Sequence, residues 1–375
     1  MIWPRATVSE LCSAVTSGGT PRRSNPAYYT PKGIPWVKTQ ELNDGRLEDA
    51  AEHISAQAIQ ESSAKLLPAG TILVAMYGAT AGKLGVLGRP MACNQACCAL
   101  VVKPGAADPR FLFYALLNSR EELKGLANGA AQQNLSVRVI KEFRIPNPSL
   151  EVQQRAGSLL GALDDKVAVN ERIVGTCRDL AGALFQQATV SPGSRTVPLS
   201  ELAVHKPGKY LSKDAYAAGG PYAVYGSNSV MGWHSACLYE GRFAVLARIG
   251  SNCGSVRWSN SPAWVNNNAS AIIPKDSRDA LLLRHALDTV DMAPHRSGSA
   301  QPFIRVDSLM ATDVTVPAAS DHGRVTAQLE ALARREAVAG PESRQLAQLR
   351  DTLLPQLMSG RLRVKDAEKI VEDAT

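Results

Sequence analysis

The chain has 375 residues, enough for two or three domains with sizeable hydrophobic cores. Hydrophobic residues make up 45% and charged residues 20%, which excludes wholesale disorder. Lysine and arginine outnumber aspartate and glutamate by 41 to 34, and this excess favours a polyanionic partner without defining a site. Because no segment approaches the roughly 18 apolar residues of a membrane span and no signal peptide is evident, we expect a cytoplasmic protein.

The first 148 residues consist of short apolar runs separated by Gly, Pro, Asn and Ser. Strands are predicted at 34–37, 70–76 and 99–102, and one helix over 109–126. This mixture of strands and a helix predicts an α+β domain over residues 1–148.

A long helix is predicted over 149–190, with Ser149 as its N-cap. Apolar residues recur there at steps of three and four, as they do in coiled coils. Asn170 is a polar residue within this stripe, and such residues often fix the register of paired helices.

The second half repeats this organisation. A second α+β domain is predicted over 191–318, a second long helix over 319–360 and a polar tail over 361–375. Since an internal proline costs a helix about 3 kcal/mol, we expect a kink or break near Gly340–Pro341. Neither helix can bury its apolar stripe alone, so we expect the two helices to pack on each other. The residues assigned to this packing are Leu159, Leu163, Val167, Leu184, Leu329, Leu332, Leu353 and Leu357.

The two halves also match residue by residue. A shift of 172 positions places Gly78 on Gly250, Gly82 on Gly254 and Asn94 on Asn266. An ordered series of such matches indicates duplication. The predicted architecture is therefore two similar α+β domains separated by two long, antiparallel, coiled-coil-like helices with pseudo-twofold symmetry.

Two motifs resemble catalytic or nucleotide-binding signatures but are incomplete. The segment GATAGKL at 78–84 has one residue too few between its glycines for a P-loop, and Leu84 replaces the hydroxyl that would hold magnesium. Asn25-Pro-Ala-Tyr is close to the Asn-Pro-Pro-Tyr motif of amino-methyltransferases, but Ala27 replaces the second proline. We interpret the first as a glycine turn and the second as a surface turn.

The remaining catalytic signatures also fail. The triplets at 122–124 and 164–166 have the acidic-x-Lys form of nucleases, but both lie on predicted helices without a further acidic partner. The six histidines and seven cysteines show no metal-ligand spacing, and we interpret the cysteines as free thiols. Catalysis and metal binding are therefore not predicted.

What remains is a set of polar loop residues that occurs in both halves. Asn and Gln can bond adenine, Arg and Lys can bond guanine, and basic residues neutralise phosphates, so the set suits a DNA-binding surface. The candidate DNA contacts in the first half are Lys38, Thr39, Gln40, Tyr77, Gly78, Ala79, Thr80, Gly82, Lys83, Asn94, Gln95, Gln132 and Asn134. Those in the second half are Tyr225, Ser227, Asn228, Arg248, Ser251, Asn252, Asn266, Asn267, Asn268, Gln301 and Arg305.

The chain resembles the specificity subunits of Type I restriction–modification systems. The matching segments are 18–21, 25–26, 34–37, GTILVAMYGATAGKLG at 70–85, 94–96, AQQNLS at 131–136, 145–148, 163–170 and LLPQLMSGRL at 353–362. The resemblance implies that two target-recognition domains each read one half of a bipartite, asymmetric DNA site. It also implies that the helices set the spacer between the half-sites and dock methyltransferase subunits.

The resemblance further implies a non-catalytic subunit. Two methyltransferase subunits are the expected partners beside double-stranded DNA, and a nuclease or translocase subunit is a further partner that the resemblance allows. S-adenosylmethionine, and in some systems ATP and Mg²⁺, would bind to those partners and not to this chain. Three alternatives stay open: a specificity subunit of a related methyltransferase-based phage-defence system, a methyltransferase or nuclease in its own right, and a helical scaffold that never touches bases.

Overall fold

The structure is a computed structural model that describes residues 3–127, 134–299 and 301–374. The chain divides into two units. Unit 1 comprises Met1–Asn170 with Pro341–Thr375, and unit 2 comprises Glu171–Gly340. Each unit contains its own sheets and its own hydrophobic core.

Among its described residues, unit 1 begins with ten strands and five helices. The strands are β1 (Arg5–Thr7), β2 (Cys12–Ser17), β3 (Tyr29–Val37), β4 (Gly45–Leu47), β5 (His53–Ile54), β6 (Ile72–Ala75), β7 (Leu84–Leu87), β8 (Ala92–Cys93), β9 (Cys97–Val102) and β10 (Arg144–Pro146). The helices are α1 (Val8–Leu11), α2 (Ala56–Glu61), α3 (Pro109–Asn118), α4 (Arg120–Gly125) and α5 (Val137–Glu142). The single helix expected over 109–126 is therefore two helices, separated at Ser119.

The long helix α6 (Leu150–Thr189) leads into unit 2. The strands of unit 2 are β11 (Arg195–Pro198), β12 (Ala203–Pro207), β13 (Tyr222–Tyr225), β14 (Val230–His234), β15 (Phe243–Ala247), β16 (Val256–Ser259), β17 (Ala263–Val265), β18 (Ala269–Pro274), β19 (Arg296–Ser297), β20 (Phe303–Ile304) and β21 (Asp313–Val316). Its short helices are α7 (Leu199–Leu202), α8 (Ala280–Asp288) and α9 (Val306–Met310), followed by the second long helix α10 (Ala319–Ser359) and, back in unit 1, by α11 (Val364–Ala374).

The two units have matching sheets. The main sheet of unit 1 has the strand order β2-β9-β6-β7-β4, and that of unit 2 has the order β12-β18-β15-β16, which is the same arrangement without the last strand. In each unit a smaller sheet contains one parallel pair, β3 with β8 and β13 with β17. The mixed helix-and-sheet fold with internal duplication is confirmed.

The long helices end close to where the sequence predicts, but the expected break at Gly340–Pro341 does not occur. Helix α10 is continuous and contains both Pro341 and Pro355. A proline removes one helical hydrogen bond and crowds the preceding turn. Buried residues on either side, Ala339 and Leu346, anchor the helix through that position, so packing outweighs the local propensity.

Within unit 1, the first half of α6 packs against the second half of α10 in antiparallel fashion. Asp164 pairs with Arg350, and Asn170 donates from Nδ2 to Glu342 Oε2 at 3.0 Å. Asn170 is only 2% exposed, so this bond satisfies a polar group that is otherwise buried. Of the predicted packing residues, the core of unit 1 contains Leu163, Leu353 and Leu357, with Leu159 and Val167 packed against it.

Within unit 2, the second half of α6 runs beside the first half of α10, where Arg178 pairs with Glu336 at 2.6 Å. Leu329 is buried in the core of this unit and Leu332 packs against that core. Leu184 is half-buried and lies outside this core, which contains Ala181, Phe185 and Ala188, so its assignment to packing stays a prediction. The buried stripe thus lies one position beyond the predicted residue.

The predicted polar tail forms helix α11. Val364 and Ala367 are buried in the core of unit 1, and Glu368 pairs with Arg155 of α6 at 2.7 Å. Although this segment is mostly polar, its few apolar residues fall on one face of a helix, and tertiary packing of that face stabilises α11. Across the three described stretches of the chain, no helix is both long and apolar enough to cross a bilayer.

Candidate nucleic-acid interface

The turn between β6 and β7 requires two glycines. Gly78 and Gly82 have φ values of +70° and +79°, a region that residues with a Cβ rarely adopt. The turn closes when Gly82 N donates to Ala75 O at 2.9 Å and Lys83 N donates to Thr80 O at 2.9 Å. The sequence-based interpretation of this segment as a glycine turn, not a P-loop, agrees with this geometry.

Unit 2 contains the same turn between β15 and β16. Gly250 and Gly254 have φ values of +98° and +89°. Gly254 N donates to Ala247 O and Ser255 N donates to Asn252 O, both at 2.9 Å. Each bond is the unit 1 bond displaced by 172 positions, so the duplication extends to individual hydrogen bonds.

Three further segments in unit 1 meet at this turn. Met76 N donates to Ala96 O at 2.9 Å, Leu135 N to Met76 O at 2.8 Å, and Asn94 N to Val37 O at 2.9 Å. The segments that follow β3, β6 and β8, together with the segment around 135, therefore lie at one end of the unit. Candidate DNA contacts from four separate stretches of the sequence thus lie near one another; their role in binding DNA stays a prediction.

The corresponding segments of unit 2 meet in the same way. Arg248 N donates to Asn268 O at 3.1 Å, Ile304 N to Arg248 O at 2.9 Å, and Asn266 N to Tyr225 O at 2.8 Å. Each unit thus presents a loop cluster with one backbone hydrogen-bond pattern and different side chains. We call these the loop cluster of unit 1, residues 37–40, 76–83, 94–96 and 134–135, and the loop cluster of unit 2, residues 225–228, 248–255, 266–268 and 301–305.

The candidate residues differ widely in exposure. Exposed are Gln40, Tyr77, Ala79, Lys83, Gln95, Asn134, Asn228, Ser251, Asn267, Gln301 and Arg305. Half-buried are Lys38, Gly78, Thr80, Asn94, Tyr225, Ser227, Arg248, Asn252 and Asn268. Thr39, Gly82 and Asn266 are buried, so they shape the loops and do not present a side chain to a partner. Gln132 lies outside the described residues.

Two predicted cations in unit 1 are engaged by internal carboxylates. Lys38 Nζ lies 2.6 Å from Glu52 Oε1, and Lys83 Nζ lies 3.3 Å from Asp44 Oδ2. Glu52 is also paired with Arg23 at 2.5 Å, and Asp44 with Arg120. The hydrogen bonds from Arg23 and Lys38 lower the pKa of Glu52 to about 2.

The buried asparagine of unit 2 has a structural role. Asn266 Nδ2 donates to Leu211 O at 3.3 Å, and its Oδ1 accepts from Asn267 N at 2.7 Å. By contrast, the Oδ1 atoms of Asn94 and Asn268 are buried without a hydrogen-bond partner among the described residues.

Two residues at the loop cluster of unit 2, Arg296 and Phe303, are not among the predicted DNA contacts. The guanidinium of Arg296 lies beside Gly254, and Phe303 is 43% exposed and bridges to Ile249 in antiparallel pairing. Phe303 falls at the position of Asn134, which pairs with Tyr77 in unit 1. Arg296 and Phe303 are found by matching backbone pairing positions between the two units, because their residue types differ from those of their counterparts in unit 1.

The incomplete catalytic motifs have structural roles. Asn25 Oδ1 accepts from Ala27 N at 3.1 Å, which is the expected surface turn. Glu122 pairs with Arg5, and Asp164 is bonded by Tyr114 and Arg350. In the part of the chain that the structure describes, no group of three or more His, Cys, Asp or Glu residues has the arrangement of a metal site, and all seven cysteines are free.

Comparisons with known proteins identify the family. The family sequence model of the Type I restriction modification DNA specificity domain matches residues 3–174 and 193–335, once in each half. The specificity subunit of the Type I restriction enzyme EcoprrI from Escherichia coli is 22% identical over 330 residues, covering 80% of each chain. The MjaIX specificity subunit from Methanocaldococcus jannaschii is 28% identical over 177 residues, 46% of this chain and 40% of that protein.

A solved structure shows the same fold. The S subunit of a Type I restriction–modification system from M. genitalium superposes with a TM-score of 0.74 at 19% identity, over 95% of this chain and 96% of the other. The resemblance stated from the sequence is confirmed. The chain belongs to the family of Type I restriction–modification DNA specificity subunits.

Proposed function

We propose that each unit reads one half of a bipartite, asymmetric duplex DNA site. As a member of its family the chain is a DNA sequence-specificity subunit. The observation that supports one half-site for each unit is the pair of loop clusters, which have the same backbone hydrogen bonds and different side chains. Where unit 1 has Ala79 and Thr80, unit 2 has Ser251 and Asn252, and these four side chains are exposed or half-buried. Different base-edge chemistry in the same frame is what an asymmetric target requires.

The chemistry on DNA is assigned to partner subunits. We expect two methyltransferase subunits that bind S-adenosylmethionine and dock on helices α6 and α10. The proposal also allows a nuclease or translocase subunit that uses ATP and Mg²⁺, but does not require one. The engagement of Glu122 and Asp164 in structural ion pairs supports a specificity subunit without catalysis of its own.

A selection experiment tests the proposed function. The full chain, produced together with its methyltransferase subunits, is incubated with a pool of randomised duplexes, and bound DNA is sequenced. We expect enrichment of two short defined sequences separated by a fixed number of unspecified base pairs. Enrichment of one continuous sequence, or of none, contradicts the proposal.

A second measurement addresses the alternative that the chain is itself an enzyme. The chain alone, supplied with the selected duplex and either S-adenosylmethionine or Mg²⁺, is expected to transfer no methyl group and cut no strand. The matched control is the complex with methyltransferase subunits, which should methylate the same duplex. Methyl transfer by the isolated chain that is lost in the Asn25→Ala variant would instead support the methyltransferase alternative.

A further inference from the structure

Three arginines of unit 2 lie in strand β19, directly after strand β20 and in the segment that bonds to β20. Ile304 in this strand donates from its backbone N to Arg248 O at 2.9 Å and pairs directly with Arg296 of β19. Arg305 follows Ile304 and donates from Nη2 to Pro294 O at 2.9 Å. We call Arg248, Arg296 and Arg305 the arginine cluster.

The arginine cluster forms no ion pair with a carboxylate of the described residues. Among the residues that the structure describes, none of the three guanidinium groups forms an ion pair with Asp or Glu, whereas Arg242 in the same unit pairs with Glu330 at 2.5 Å. Arg296 and Arg305 are exposed, and Arg248 is half-buried. Three positive charges on adjacent segments, none of them held in an ion pair among the described residues, create a local attraction for an anion.

The equivalent positions of unit 1 carry no free cation. Matching hydrogen bonds place Met76 at the position of Arg248 and Ser136 at that of Arg305, because Leu135 N donates to Met76 O as Ile304 N does to Arg248 O. Met76 is 1% exposed, and Ser136 Oγ accepts from Val139 N as the N-cap of α5.

Lys124 of unit 1 corresponds to Arg296. Their side chains lie at the same place, against the second glycine of each turn, Gly82 and Gly254. Lys124 Nζ, however, lies 3.0 Å from Glu121 Oε1. The nearby Lys38 and Lys83 are also paired with carboxylates. The first unit therefore offers paired cations where the second offers unpaired ones.

We propose that the arginine cluster binds the DNA backbone phosphates beside the half-site of unit 2, and that unit 1 has no equivalent anchor. This inference rests on the proposed function, which supplies the DNA. Phosphate contacts release condensed counterions and therefore carry the salt dependence of binding, while base contacts carry the sequence preference. The two half-sites are thus bound with different ionic contributions.

The first arm of the test separates this proposal from the proposed function. The complex of the full chain with its methyltransferase subunits selects a duplex from the randomised pool. If no sequence is enriched, the proposed function fails before the arginine cluster is examined. If a bipartite sequence is enriched, its dissociation constant is measured between 50 and 200 mM salt for the parent and for the Arg248→Gln, Arg296→Gln and Arg305→Gln variants.

Each glutamine variant is expected to lower the slope of log K against log salt by about 0.9, the value for one lost phosphate contact, and to leave the selected sequence unchanged. The matched control is Lys124→Gln, the same change at the equivalent position of unit 1, which should leave the slope unaltered. Arg296→Lys keeps the charge and should retain the parent slope. Circular dichroism of every variant establishes that the loss is not one of folding.

Three results overturn the proposal while the proposed function stands. The first is an enriched bipartite sequence whose salt slope is the same in the parent and in all three glutamine variants. The second is an equal loss of slope in Lys124→Gln and Arg296→Gln. A changed sequence preference with an unchanged slope would also overturn it, since that result assigns the arginines to bases. Ethylation of individual phosphates in the selected duplex should weaken binding chiefly at one half-site, and Arg296→Gln should reduce that sensitivity.

Discussion

At the scale of single residues, Glu52 shows how unit 1 holds the segment that follows β3. Its carboxylate accepts from Arg23 Nη1 at 2.5 Å and from Lys38 Nζ at 2.6 Å. The Arg23 guanidinium also stacks on Tyr29, 4.5 Å from the ring centroid. Because Lys38 belongs to the loop cluster of unit 1, the orientation of that loop depends on one carboxylate in its ionised form.

This dependence predicts a defined response to acid. Arg23 and Lys38 lower the pKa of Glu52 from 4.5 to about 2 in the folded protein. Between these two values the unfolded chain binds more protons than the folded chain, so the Glu52 contribution to stability is present above pH 4.5 and is lost as the pH falls towards 2. In Glu52→Gln, the free energy of unfolding in urea should be lower at pH 7 and should change less across this acid range.

The matched control is Glu171→Gln on the exposed side of α6. It should retain the acid dependence of the parent, because Glu171 is exposed and forms no ion pair with any described residue that unfolding would break. If the free energy of unfolding falls equally between pH 4.5 and 2 in Glu52→Gln and in the parent, Arg23 and Lys38 do not set the pKa of Glu52.

At the scale of elements, helix α10 continues through a proline that is exposed and therefore contributes little packing. An internal proline costs a helix about 3 kcal/mol, and about 1 kcal/mol of that is offset because proline also restricts the unfolded chain. Pro341→Ala should therefore raise the free energy of unfolding by about 2 kcal/mol. Equilibrium urea unfolding measures it, with the exposed neighbour Gln345→Ala as a control expected to stay within about 0.5 kcal/mol of the parent.

A fall in stability on Pro341→Ala would mean that the proline stabilises the helix, for example through a bend that its packing requires.

The helices also show how much of the fold can be predicted from the sequence. Apolar periodicity locates both long helices to within one or two residues, because each stripe must be buried. The continuity of α10 at Pro341 and the folding of α11 depend on packing against segments that are distant in the sequence. Helix propensity reflects only the local sequence, so it does not predict either feature.

The same distinction applies to the candidate site. The glycine turns and the asparagines after β8 and β17 can be predicted, because duplication preserves them at a constant shift. The pairing of Lys83 with Asp44 cannot, since the two residues are 39 positions apart and only the fold brings them together. Leu184 shows a smaller limit, since a repeat of three and four does not distinguish it from the adjacent Phe185, which the core contains.

At the scale of the whole molecule, duplication gives the two loop clusters the same backbone framework with different side chains. The turns at 78–82 and 250–254 have the same backbone hydrogen bonds and positive φ values at both glycines. Their three inner residues differ, Ala-Thr-Ala in unit 1 and Ser-Asn-Cys in unit 2. A backbone that is fixed by glycines and main-chain bonds tolerates exchange of the side chains it presents.

We therefore expect that the triple variant Ser251→Ala, Asn252→Thr and Cys253→Ala stays folded and alters only one half of the selected DNA. The buried Cys253 loses a single sulfur atom, so the free energy of unfolding should fall by no more than about 1 kcal/mol. Selection from randomised duplexes by the complete complex measures the preference, and urea unfolding measures the stability. The reciprocal variant Ala79→Ser, Thr80→Asn and Ala81→Cys should alter the other half. If either variant changes both halves together, recognition is not divided between the units, and the conserved backbone pattern would then reflect shared ancestry without a shared reading role.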